Sequence, residues 1–275
     1  MMDRDEGIVA FMKFVQQPMQ QEISGPPAPS STANSLAIEV IGREGSIALL
    51  AGTSVIAARS LARHSRAAAC LAQTIDELAS EFLSNGSLDS LGSVAVASGP
   101  GSFTGLRIAV TTAKTLAYAL QIPLVAVNSL AAIAELAPAM TASPASQSPQ
   151  RRPVLVGLAA YRGQVYRGRF VPGQAAETGI VSADDWKAEV LTAAPRPGDA
   201  NGKKAENNFI FAGDRSVFAS TDVRLGPDSW CDDEEVRAVG VGRVAAGMLA
   251  RGETTDPIEL VPDYLRPSSA EEKAG

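Results

Sequence analysis

The sequence predicts an α/β protein of two tandem halves, the second smaller and degenerate. Three observations carry this. Residues 36–60 read as three successive strands, followed by an amphipathic helix, an apolar strand, a glycine-rich turn and a second helix. A stretch rich in Ser, Pro, Ala and Gln (138–153) then marks a loop or domain boundary, after which a hairpin begins the order again. With 275 residues, 45% hydrophobic and 20% charged, the chain can bury about 70–75% of its unfolded surface, as one large domain or two small ones.

Residues 1–34 read as an extension. Gly25-Pro-Pro-Ala-Pro-Ser-Ser-Thr-Ala-Asn34 has a linker composition that cannot pack. The apolar run 8–15 allows one short amphipathic turn. Asp3, Asp5 and Glu6 precede it, where a secretory leader needs positive charge. The first half is expected over 35–138. The second is expected over 139–267, its last helix packing back on the first, with 268–275 as a frayed tail.

Within the first half, strands are predicted at 36–41, 46–51 and 54–60, with Gly42-Arg-Glu-Gly45 as the first turn. Ser65 can cap a helix whose stripe is Ala68, Leu71, Ile75, Leu78 and Phe82, a three/four spacing that Asn85-Gly86 stops. A fourth strand at 94–97 leads through the glycines into a helix over 108–120. Leu106, Ala109, Ala113, Leu116 and Leu120 form the apolar face of that helix. Three meander strands, helix, strand, helix is the order of a ribonuclease-H-like half. The expected class is therefore the actin/sugar-kinase-like fold of tandem ribonuclease-H-like halves. In the second half, 154–159 and 164–170 form a hairpin through Arg162-Gly163, and 192–208 is a polar loop. A short strand follows at 209–212, a helix at 236–250 and an extended tail at 257–266. Asp214, in Gly-Asp-Arg, reads as part of a plain turn.

The most informative string is Ser98-Gly-Pro-Gly-Ser-Phe-Thr-Gly-Leu-Arg107. A glycine-rich turn between a strand and a helix start presents unpaired N–H groups and a positive dipole end, a common way to hold an anion. No lysine follows Gly105, so it is not a P-loop. Thr104 stands where the third glycine of the dinucleotide fingerprint belongs. Spacing alone leaves two readings: an anion cradle of Ser98, Gly99, Gly101, Ser102, Thr104 and Gly105, or a tight turn packing a helix onto a sheet.

Charge and rare residues narrow the chemistry. Against 30 Asp and Glu stand 24 Lys and Arg, a net charge of −6, so no overall basic field attracts nucleic acid. Cys70 and Cys231 make no disulfide framework and suit a reducing cytoplasm. His64 is the single histidine. That excludes paired-histidine metal motifs and leaves Cys70 without the usual base. No catalytic residue and no metal ligand is assigned. No apolar run reaches the ~18 residues of a membrane helix. The second helix also carries a stripe of Arg107, Thr111, Lys114 and Tyr118, either a solvated face or a docking face, since Arg and Tyr are favoured interface anchors. Ala67-Ala68-Ala69 would let another helix approach closely.

The string from Ser98 through Ile108-Ala-Val-Thr-Thr-Ala-Lys-Thr-Leu-Ala117 closely resembles the family of the bacterial tRNA threonylcarbamoyladenosine biosynthesis protein TsaB, also called YeaZ. Ile122-Pro-Leu-Val-Ala-Val-Asn-Ser-Leu130 is similar too. Weaker likenesses lie at His64-Ser65, Arg162-Gly-Gln-Val-Tyr166 and Pro262-Asp-Tyr-Leu-Arg266. The resemblance is strong over 91–136 and thin elsewhere in 36–266. It implies the same fold and a non-catalytic scaffold subunit in threonylcarbamoyladenosine formation. The partners it implies are a TsaD-like transferase, a TsaE-like ATPase, a second copy of the chain, and tRNA through the complex. The implied docking residues are His64, Ala68, Arg107, Thr111, Lys114 and Tyr118.

The family's first strand usually ends in Asp-Thr-Ser. Here Glu39-Val40-Ile41-Gly42 stands instead: the carboxylate remains as Glu39, a candidate site residue, and the hydroxyls are gone. No cofactor of its own is expected, and a nucleotide only within the complex. The competing expectation is an autonomous metalloprotease-like or nucleotide-dependent enzyme of the same superfamily. Metal content and unaided ATP turnover of the purified chain separate the two.

Overall fold

Two five-stranded mixed sheets lie on either side of a shared helical layer. The structure is a computed structural model, and it describes residues 33–42, 45–61, 67–137, 151–194, 209–226, 229–231 and 237–265, except the side chains of 67–69. The expectations for residues 1–32, His64, Ser65 and 268–275 lie outside the described residues.

The first half comprises β1 (Asn34–Glu39), β2 (Ser46–Ala51), β3 (Ser54–Ser60), α1 (Ala67–Phe82), β4 (Leu91–Gly99), α2 (Phe103–Leu120), β5 (Leu124–Asn128) and α3 (Ser129–Leu136). The second comprises β6 (Val154–Ala159), β7 (Val165–Phe170), β8 (Glu177–Val181), α4 (Ala183–Ala193), β9 (Ile210–Gly213), α5 (Arg215–Ala219), β10 (Trp230–Cys231) and α6 (Arg237–Ala250). Strand order is β3-β2-β1-β4-β5 in the first sheet and β10-β9-β6-β7-β8 in the second. Counted within its half, each sheet runs 3-2-1-4-5, with two antiparallel and two parallel junctions. The halves therefore share one ribonuclease-H-like topology, and the second has shorter elements: β9, β10 and α5 span 4, 2 and 5 residues.

Side-chain alternation assigns the layers. From β1 and β4, Leu36, Ile38, Val94 and Val96 face α1 and α2, while Ala37, Ala95 and Ala97 face the layer of α3 and α6. From the second sheet Val154, Val156, Ile210 and Ala212 meet that same layer. Leu155 and Phe211 turn away to pack with Trp186 of α4 and Phe218 of α5. Helix α6 lies across β1, β2, β4 and β5 of the first sheet. Gly242 lets it approach β2, where a Cβ would overlap the Leu50 side chain, and Gly240 lets it approach α3, where one would overlap the Ala132 carbonyl. The alternation also places Glu39 on the α6 side, so a charged group enters the buried middle layer.

The observed elements differ from the expected ones in instructive ways. Helix α2 starts at Phe103, five residues before the predicted start, because Ser102 caps it by accepting from the Gly105 N–H. Part of the glycine string is thus itself helical. The polar loop expected over 192–208 begins later, since α4 runs to Ala193.

Candidate functional site

In open α/β sheets the crevice outside the carboxyl ends of the strands is where ligands bind. Here β1, β4, β6 and β9 bring Glu39, Ser98-Gly99, Ala159 and Gly213-Asp214 to their carboxyl ends. Helix α6 starts between the two sheets, and its first residue, Arg237, is 4% exposed. The Arg237 guanidinium donates to Asp214 Oδ1 at 3.1 Å and acts electrostatically on Glu39. Asp214 Oδ2 accepts from the Ala159 N–H at 2.8 Å, and the Asp214 N–H donates to the Gly157 carbonyl. Asp214, which the sequence marks only as a turn, therefore joins β6, β9 and α6.

Glu39 is 1% exposed. The Ile41 N–H donates to Oε1 at 2.6 Å and the Ser46 hydroxyl to Oε2 at 3.1 Å. The same Ser46 oxygen accepts from the Ala238 N–H at 3.0 Å, tying β2 to the first turn of α6. Burial pushes the Glu39 carboxyl above its ordinary range. Arg237, the Ile41 N–H, the Ser46 hydroxyl and the Gly42 N–H act against this and do not overcome it. Protein groups engage both Glu39 carboxylate oxygens, and the Arg237 guanidinium that pairs with Asp214 acts on Glu39 as well. Among the described residues, no group of three or more His, Cys, Asp and Glu is placed to share a metal ion.

The three glycines of the string are packed closely by the chain itself. Gly99 has φ +134°, and a Cβ there would overlap the Asp263 carbonyl. Neither Gly101 nor Gly105 has positive φ; both serve close approach, Gly101 against Ile41 and Gly105 against the Val40 carbonyl oxygen. Ser102 N–H donates to the Ile41 carbonyl at 3.0 Å, and the Ser98 hydroxyl to the Val127 carbonyl at 3.2 Å. Thr104 is exposed on the first turn of α2. These groups bring the end of β1, the start of α2 and the C-terminal segment together.

The α2 stripe carries that segment on one flank. Thr255 N–H donates to the Leu124 carbonyl, alongside β5. Lys114 Nζ donates to the carbonyls of Ile258 at 3.1 Å and Leu260 at 2.8 Å, and the Asp263 N–H to that of Ser98 at 2.6 Å. Leu260 is buried beside α2. Arg107 Nε donates to the Tyr264 hydroxyl at 3.1 Å. Thr111 and Tyr118 are exposed; His64 and the Ala68 side chain fall outside the described residues. The structure thus separates the expected docking residues: Arg107 and Lys114 hold the C-terminal segment, and Thr111 and Tyr118 face solvent. Sequence reasoning missed Arg237, Ser46, Phe103 and Tyr264. For Arg237 the sequence offers no signal beyond an arginine opening an apolar helix.

A Bacillus subtilis protein called tRNA threonylcarbamoyladenosine biosynthesis protein TsaB is 32% identical over 194 residues, 66% of this chain and 73% of the relative. The chain belongs to the TsaB family. A Buchnera aphidicola TsaB is 33% identical over 84 residues, 30% of this chain and 36% of that one. The family model described as TsaD, tRNA N6-adenosine threonylcarbamoyltransferase, matches residues 60–272, so this TsaB chain is also similar to the transferase. The solved structure of YeaZ from Pseudomonas aeruginosa superposes with a TM-score of 0.61 at 22% identity, covering 84% of this chain and 99% of that one. A solved protein with similarity to peptidase YeaZ, from the same organism, gives 0.60 at 23%, covering 85% and 100%. At these identities the likeness establishes the fold of this TsaB-family chain.

Proposed function

We propose that the chain takes part in forming N6-threonylcarbamoyladenosine in tRNA, as a non-catalytic scaffold subunit. It docks a TsaD-type transferase through the helices of its first half. The relatives' names support the pathway. The observation that carries the scaffold role is the buried Arg237 at the strand ends, which donates to Asp214 and acts electrostatically on Glu39. The two strand-end carboxylates are thereby already engaged by a cation of the chain itself. The glycine string adds to this, its tight sides turned to Ile41, Val40 and Asp263.

Recognition uses the outer surface of α1 and α2, where Thr111 and Tyr118 face solvent. With a net charge of −6, the chain reaches tRNA through its partners, and a TsaE-type ATPase joins the same assembly. The subunit carries no cofactor of its own, works in the cytoplasm, and self-pairing competes with the transferase for one helical face. The test is to delete the gene and measure threonylcarbamoyladenosine in bulk tRNA, with co-purification of the TsaD-type protein on the tagged chain. Loss of the nucleoside together with stoichiometric capture supports the scaffold role, and unchanged nucleoside rejects it.

A further inference from the structure

Exposed large apolar side chains crowd the flank of α2. Phe103, Tyr118, Ile258, Val261 and Tyr264 are 37%, 47%, 75%, 71% and 38% exposed. The first two stand on α2 and the other three on the segment strapped over it. The strap is no loose tail, for Leu260 is buried and Lys114 holds two of its carbonyls. Ile258 and Val261 therefore point outward from a segment whose backbone is fixed.

Arg107 is the polar centre of this flank. Its guanidinium carbon lies 3.8 Å from the centroid of the Phe103 ring, its Nε donates to the Tyr264 hydroxyl, and the two rings pack 4.8 Å apart. Stacking and this hydrogen bond fix the guanidinium plane before any partner arrives. Both terminal nitrogens have no partner among the described residues. A pinned arginine loses little further side-chain freedom on binding, and its planar fork matches a carboxylate. Asp256, Glu259 and Asp263 lie along the same strap. They disfavour a polyanion such as RNA, yet leave room for a single carboxylate with basic neighbours.

We propose that the strap and the adjoining end of α2 form one composite docking surface, with Phe103, Arg107, Ile258, Val261 and Tyr264 as its anchors. Its occupant is a protein segment of the TsaD-type transferase that sets one carboxylate on Arg107, between apolar side chains and beside basic ones. This rests on the scaffold reading and extends the contact beyond the helices to the C-terminal segment. Aromatic and arginine anchors on rigid backbone have the composition of an interface hot spot.

The test measures the affinity of the full-length chain for the purified transferase of the same organism by surface plasmon resonance. Val261→Asp and Ile258→Asp change exposed side chains remote from the core, and thermal melting confirms that each variant folds. Each is expected to weaken binding about tenfold or more. Arg107→Leu is expected to do the same and to flatten the salt dependence. If both strap variants bind within twofold of the wild type, the composite surface is wrong and docking through the helices stands. If they break self-association and spare transferase binding, the occupant is a second copy and the inference fails. If the wild type itself does not bind, the scaffold reading fails first.

Discussion

Arg237, at the start of α6, donates to Asp214, just beyond β9, across the middle layer of the molecule. Its charge also acts on Glu39, at the end of β1 in the other sheet. One side chain thus joins the carboxyl ends of two sheets built to the same plan. The fold thus supplies its own cation at the strand ends, where it acts on both carboxylates.

Replacing that cation tests its weight in the fold. Arg237→Met leaves Glu39 buried without its counter-charge and Asp214 without its guanidinium. The expected loss is about 2 kcal/mol, because the partly exposed Asp214 loses its charged hydrogen-bond partner. Urea denaturation of the variant measures it, and a change within 1 kcal/mol of zero means that Arg237 is a passenger.

Glu39 gives the fold a pH signature. Burial raises its carboxyl in the folded state above the 4.5 of the free group, so the fold binds this proton more tightly than the unfolded chain does. Its stabilising contribution is complete below the unfolded value and is lost as pH rises through the folded one. In that window Glu39→Gln removes a downward slope of stability with pH. Chemical denaturation of wild type and variant across mildly acidic to neutral pH checks this. Parallel curves for the two proteins contradict the assignment.

Two glycines should respond to alanine in opposite directions. Gly105→Ala drives a methyl into the Val40 carbonyl, where the backbone has no room to yield. Overpacking of this kind costs about 2 kcal/mol or more. Gly247, inside α6, meets only the end of the Arg251 side chain, at 3.5 Å. Gly247→Ala should stabilise by about 0.5–1 kcal/mol, the ordinary helix gain. Thermal melts of the two variants decide, and equal shifts would refute the packing argument.

The strap depends on Lys114. Lys114→Met removes the donor to the Ile258 and Leu260 carbonyls, a loss of about 1.5 kcal/mol of local stability. Hydrogen exchange at the Leu260 and Asp263 amides should then quicken about tenfold. Unchanged exchange shows that the buried Leu260 and the backbone bonds of Thr255 and Asp263 hold the segment without Lys114.

Legibility from sequence followed how local each signal was. Strands β2, β3 and β6 lie where alternation and turn residues put them, because one strand and its turn contain the whole signal. Helix α4 carried a local mark that went unread: Ser182 accepts from the Asp185 N–H at its start, and Trp186 follows. Strand β8, Glu-Thr-Gly-Ile-Val on the sheet edge, has no side buried enough to impose a pattern. The crevice was half legible. The family resemblance pointed to Glu39, while Ser46, Arg237 and the Asp214 that Arg237 pairs with come from three separate elements that only the tertiary fold assembles.

The most direct measurement is reconstitution with purified components: TsaD-type transferase, TsaE-type ATPase, tRNA and the activated threonylcarbamoyl donor, with and without this chain. The account predicts multiple-turnover formation of threonylcarbamoyladenosine only when the chain is present, and no ATP turnover by the chain alone. Full modification in its absence, or substrate turnover by the isolated chain, would contradict it.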